Sequence, residues 1–106
     1  MALTRDFKET ILVRAKRDPA FRKALLKEAL ESFLSGDVST GKVILRDFIN
    51  ATVGFRKLAH DTGRSPKSLM RMFSPAGNPQ AKNLFEVVAY LQNAERIRFH
   101  IRPSAR

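Results

Sequence analysis

The sequence predicts an all-α domain, and three observations carry that prediction. Apolar residues recur at three- and four-residue spacing over most of the chain, which is the period of a helix with one buried face. Helix-start and helix-stop signals, an Asp or Ser before a Pro and a Gly after an apolar run, separate these stretches. Only one short segment, near the end, alternates with the period of a strand. With 106 residues, 43% of them hydrophobic, the chain suffices for one compact domain and is too apolar for a disordered tail.

The first helix is expected from Thr4 to about Arg17, with Leu3, Phe7, Ile11 and Ala15 on one face. Asp18-Pro19 stops it and starts the next, Asp18 as cap and Pro19 in the first turn, where its missing N–H costs nothing. The second helix buries Phe21, Leu25, Leu26, Ala29, Leu30 and Phe33 and ends at Ser35-Gly36. A third, roughly Ser39 to Ala51, carries Val43, Ile44, Leu45, Phe48 and Ile49 before the break "NATVG".

Two short amphipathic segments then meet at Gly63, a residue that turns the chain with positive φ at no steric cost. Leu58 and Ala59 precede it, and small Ala59 lets a second helix come close. Beyond it Ser65 is a good N-cap, Pro66 a good first helical residue, and Leu69, Met72 and Phe73 form an inward face. After the loop "SPAGNP", Gln80 to Gln92 reads as a last helix with Leu84, Phe85, Val88 and Leu91. In "RIRFHIR", Ile97, Phe99 and Ile101 alternate with Arg96, Arg98, His100 and Arg102. This is either a strand that finds its ladder in a second copy, making Ile97, Phe99 and Ile101 dimer candidates, or a tail or last helical turn. The chain divides into an N-terminal helical extension (1–36), a core (37–94) and the C-terminal strand or tail (95–106), all in a single domain.

Twenty Lys and Arg against ten Asp and Glu give a formal charge of +10, so a polyanion is the natural partner. No cysteine and two isolated histidines, His60 and His100, exclude disulfide frameworks and metal cages, and no cofactor is expected. No apolar run is long enough to span a bilayer and the N-terminus lacks a secretory signal, which predicts a cytoplasmic protein without a membrane partner.

Helix, Gly-containing turn, helix is the arrangement whose second helix enters the DNA major groove. The outward positions of that second helix are Lys67, Ser68, Met70 and Arg71. From Asp61 to Glu86 no acid intervenes, while Arg64, Lys67, Arg71 and Lys82 supply four cations. Ser65, Pro66, Lys67, Ser68 and Arg71 are the candidates for reading base edges. Arg64 after the turn, and Asn78, Gln80 and Lys82 around the "GNPQ" helix start, are candidates for phosphate contacts.

"LAHDTGRSPKSLMRMF" with "GNPQAKNLFEVVAYL" resembles the helix-turn-helix of lambda-repressor-like regulators, and nearly the whole chain is similar to their addiction-module antidote branch. The resemblance implies a homodimer that binds double-stranded operator DNA, represses its own operon and neutralises a small ribonuclease-like toxin. Thr62 and Arg64 depart from the pattern, whose Gly has apolar neighbours, so a looser turn is expected. No acidic toxin-binding segment is present either.

The rival readings are a protein-interaction module that neutralises a partner without specific DNA binding, and an RNA-binding protein. The second is disfavoured by one Tyr and no Trp, too few for a base-stacking platform. "GDVSTGKV" nears a phosphate-cradling loop, but Val43 stands where a Ser or Thr should bind magnesium and a helix precedes it, so it reads as a helix end and a helix start. No catalytic constellation appears, so no enzymatic activity is expected. His60, Asp6, Glu9, Glu28 and Glu31 read as solvated helix faces. The first two helices have three uses open to them: thickening the core, forming a dimer surface, or holding a partner protein.

Overall fold

The computed structural model of the chain describes residues 5–105, with side chains from residue 9 onward. Leu3, Thr4 and the side chains of Asp6 and Phe7, which belong to the expected first helix, lie outside that range. Helices follow in the order α1 (Arg5–Arg17), α2 (Pro19–Leu34), α3 (Val38–Ala51), α4 (Phe55–Thr62), α5 (Pro66–Met72) and α6 (Ala81–Glu95). Among the described residues there is no strand.

The helix ends follow from local chemistry. Asp18 is extended and its Oδ1 accepts a hydrogen bond from Phe21 N at 3.1 Å, with Pro19 in the first turn of α2. Across this joint the Arg14 guanidinium lies 4.6 Å above the Phe21 ring. Gly36 closes α2 in the left-handed region, φ 88°, where Asp37 N donates to Ser32 O and Gly36 N to Phe33 O. Asp37 then caps α3 by accepting from Thr40 N, and its bonding to Thr40 holds the carboxyl below its ordinary pKa. That cap starts α3 at Val38, one residue ahead of the expected Ser39. "GDVSTGKV" is therefore a helix end and a helix start, as its sequence indicates.

One buried cluster unites Leu26 and Ala29 of α2, Leu45, Phe48 and Ile49 of α3, Leu58 and Ala59 of α4, Leu69 and Phe73 of α5 and its C-terminal cap, and Val87, Val88 and Leu91 of α6. Of the three uses open to the N-terminal pair, thickening the core is thus realised by α2. Gly41 of α3 permits this contact, since a Cβ there would stand 2.6 Å from the Phe33 ring. Arg22 fastens the pair to the far end of α6, its Nε 2.8 Å from Glu95 Oε1 and its Nη1 2.7 Å from Ala15 O.

Two residues expected inside are outside. Val43 is exposed because it lies two residues from Leu45, roughly 200° around the helix. Phe85 is 63% exposed because α6 turns Val87, Val88 and Leu91 inward and leaves Phe85 at the margin of that stripe.

The C-terminal segment also differs from the strand expectation. Arg96 caps α6 in the left-handed region, φ 57°, with Ile97 N donating to Gln92 O. Beyond it the alternation is real: Ile97 and Phe99 pack against the core, Arg98 and His100 point outward, and Phe99 N donates to Gln92 Oε1 at 2.9 Å. Residues 97–105 nevertheless form no strand, since among the described residues no second strand is present to offer them a ladder.

Candidate nucleic-acid interface

The α4–α5 unit is built by its turn. Gly63 adopts φ 70°, ψ 27°, and the bonds Arg64 N to Ala59 O and Gly63 N to His60 O satisfy carbonyls that the end of α4 leaves free. Where apolar neighbours of the glycine are lacking in the sequence, polar contacts fasten this turn. Thr62 Oγ1 donates to Leu58 O at 2.6 Å. Arg64 Nη2 reaches across to α6, to Asn83 Oδ1 at 2.8 Å and to the Glu86 carboxylate.

That contact changes the place of Arg64. Its side chain is only 25% exposed, its Nε is buried, and it holds the Glu86 carboxyl below its ordinary pKa. Arg64, expected to meet phosphates, joins the turn to α6, because the first acid after Asp61 lies within its reach in the early part of α6.

The base-reading candidates sit together on the outer face of α5. Ser65 caps the helix, accepting from Ser68 N at 3.0 Å and donating to Ser68 Oγ at 2.9 Å. Pro66 occupies the first turn. Ser65, Pro66, Lys67, Ser68 and Arg71 are all exposed, as is Met70, while Leu69 and Phe73 are fully buried beneath them. Lys67 and Arg71 enter no ion pair among the described residues, so their charge is directed to solvent.

Next to this face, Ser68, Arg71, Met72, Ala76, Gly77 and Asn78 line an open depression of about 250 Å³. Asn78 is thereby brought beside two base-reading candidates. Gln80 and Lys82, at the start of α6, are exposed, and the Gln80 side chain makes no capping bond. α6 has no acid in its first turn, so its free amides and Lys82 form a positive edge continuous in sequence with the depression.

Polar contacts hold α4 to α6 as well. Tyr90 Oη donates to Asp61 Oδ2, and Lys57 Nζ lies 3.2 Å from the same oxygen. The Tyr90 bond, then His60, then Lys57 depress the Asp61 pKa to about 2, and the Tyr90 hydroxyl is pushed up to about 12 mainly by Asp61. His60 is solvated apart from this contact, its side chain 89% exposed.

Sequence reasoning missed Lys42. Only 5% exposed, it is the buried charged residue of the described chain, and its Nζ donates to Gly77 O at 2.7 Å, Ser74 O at 3.0 Å and Pro75 O at 3.3 Å. A signal was present: Lys42 falls on the same helical stripe as Leu45 and Ile49. Gly77 was missed too. A Cβ there would come 2.0 Å from Arg71 O, so the loop after α5 must approach that helix backbone to backbone.

Among the described residues no group of His, Cys, Asp or Glu is arranged to hold a metal, and no helix is long and apolar enough to cross a membrane. No family model matches the sequence, and neither a curated protein nor a solved structure matches it significantly.

Proposed function

We propose that the protein is a sequence-specific double-stranded-DNA-binding regulator that inserts α5 into the major groove as the second helix of a helix-turn-helix. One observation carries the reading: a capped helix, anchored by Leu69, presents Ser65, Lys67, Ser68 and Arg71 to solvent with no acid among them. Arg and Lys near a helix start suit the acceptor edge of guanine, and the hydroxyls of Ser65 and Ser68 suit either sign of base edge. Asn78, Gln80 and Lys82 are assigned to flanking phosphates.

The protein would act as a homodimer, with two recognition helices about 34 Å apart on successive major grooves. Support for a second copy comes from the groove side of α6. There Leu34, Phe85 and Ile101, 70%, 63% and 80% exposed, border an apolar groove of about 260 Å³ between α2, α6 and the C-terminal segment. Ile97 and Phe99 underlie the same segment, so a copy seated here would cover the dimer candidates together. Repression of its own operon and restraint of a small ribonuclease-like toxin complete the reading as an addiction-module antidote of the lambda-repressor-like kind.

Replacing Arg71 by Ala tests it. In a binding assay, Arg71→Ala should cost about 1–3 kcal/mol on the operator while leaving nonspecific duplex binding nearly unchanged. Equal loss on both would place Arg71 on phosphate alone, and no binding to duplex DNA by the parent chain would end the proposal.

A further inference from the structure

We infer that Lys42, buried beneath the loop that follows α5, is the positioning residue that sets the spacing between α5 and the start of α6. The inference rests on the DNA-binding reading above and deepens it.

An ammonium group has three N–H donors and no acceptor. At Lys42 all three find carbonyls of one short loop, those of Ser74, Pro75 and Gly77, and among the described residues no carboxylate is a hydrogen-bond partner. These acceptors lie 32 to 35 residues along the chain from Lys42. The side chain is therefore a strut from α3 to the loop that joins α5 to α6. These partly buried carbonyls would otherwise need another donor or water.

The loop is held from its other side by α5. Ser74 N and Ser74 Oγ both donate to Arg71 O, Gly77 N donates to Ser74 O, and Gly77 packs so closely on Arg71 that no Cβ fits between them. Residues 74–77 thus lie between the Lys42 ammonium and the last turn of α5, and the same loop walls the depression shared by Arg71, Ser68 and Asn78. Fixing its carbonyls fixes where Asn78 and the α6 start stand relative to Arg71. Base reading and phosphate contact must be satisfied together on one rigid duplex, so that spacing decides whether Arg71 reaches its base once phosphates are engaged.

Because Lys42 is buried, its charge does not itself reach phosphate. Its loss should therefore act differently from loss of a surface cation. Lys42→Met keeps the length and removes the donors. We expect this variant to lose about tenfold in the ratio of operator to nonspecific duplex affinity, on the scale of one base contact. Its nonspecific affinity and salt slope should stay unchanged at temperatures where it is folded. Lys42→Arg, which keeps charge and donors, should recover part of the ratio.

An unchanged ratio in folded Lys42→Met overturns the inference while leaving the DNA-binding reading intact. Absence of duplex binding by the parent chain overturns that reading instead. Should Lys42→Met fail to fold, NMR of the parent chain decides. Lys42 Nζ protons protected from exchange and coupled through hydrogen bonds to the carbonyls of Ser74 and Gly77 support the strut, and freely exchanging ones overturn it.

Discussion

The two broad faces of the molecule solve opposite problems. Around α5, the helix is short and its outward side is cationic, so it is positioned by polar fastenings: the Ser65 cap, Arg64 on Asn83 and Glu86, Tyr90 on Asp61, and Lys42 beneath the following loop. Around the groove between α2 and α6, the helices run to 16 and 15 residues, and large apolar side chains remain in water. A seven-residue helix cannot hold itself. The contrast teaches that the cationic face is preorganised within one chain, whereas the apolar face keeps large side chains in water.

The contrast breaks most visibly at single apolar residues of the two faces. Leu69 is the fully buried anchor of α5 and Phe85 the exposed rim of the groove. Leu69→Ala should cost about 2–5 kcal/mol of stability in urea unfolding, through lost burial and the cavity left behind. Phe85→Ala should change stability by about 0.5 kcal/mol or less yet weaken self-association in sedimentation. A large stability loss at Phe85 would place it in the core rather than on a contact surface.

Salt should move the two faces in opposite directions. If the Lys and Arg side chains of two copies neutralise about six phosphates between them, DNA affinity should fall about 10³-fold between about 50 and 200 mM salt. Self-association through residues 97–101 should instead tighten. Any pairing that keeps Ile97, Phe99 and Ile101 on one face sets Arg98, His100 and Arg102 opposite cations of the partner copy, and screening relieves that repulsion. Dimerisation measured across the same salt range checks this, and weakening with salt would point to ion pairs between copies and a different contact.

How much of this was legible in the sequence depends on what held each part. The all-helical architecture and the joints at Asp18-Pro19, Gly63 and Ser65-Pro66 were readable because caps act over three or four residues. Leu58, Leu69 and Leu91 were readable because burial follows the helical period. The Arg64 latch and the Lys42 strut were not, since their partners lie 19 to 35 residues away and pattern within a helix says nothing about which loop will pass. Phe85 failed for a related reason: a residue at the edge of an apolar stripe is buried or exposed according to whether a neighbouring helix covers it. The alternation of Ile97 and Phe99 was legible, but whether it becomes a strand was not, because the ladder it needs would come from a second copy. For α5, the sequence named the outward residues and the structure added what restrains them.

The polar fastening of the cationic face also makes it the pH-sensitive side. Asp61 titrates near 2 in the folded chain against 3.8 ordinarily, first because Tyr90 donates to it. A depressed carboxyl contributes stability above its unfolded pKa, and that contribution is lost as pH falls from about 3.8 through about 2. Tyr90 has the opposite sign: its hydroxyl, raised from 10.0 to about 12, contributes below pH 10.0 and loses that contribution as pH rises toward about 12. Tyr90→Phe removes the donor and should carry the Asp61 pKa upward, part of the way to 3.8, because the His60 and Lys57 contacts persist. An NMR titration of the Asp61 carboxyl carbon reads this directly. The groove side, whose contacts near Leu34, Phe85 and Ile101 are apolar, should show no matching acid step, so an unmoved Asp61 would mean that α4 is held to α6 by packing alone and that the two faces differ less than their side chains imply.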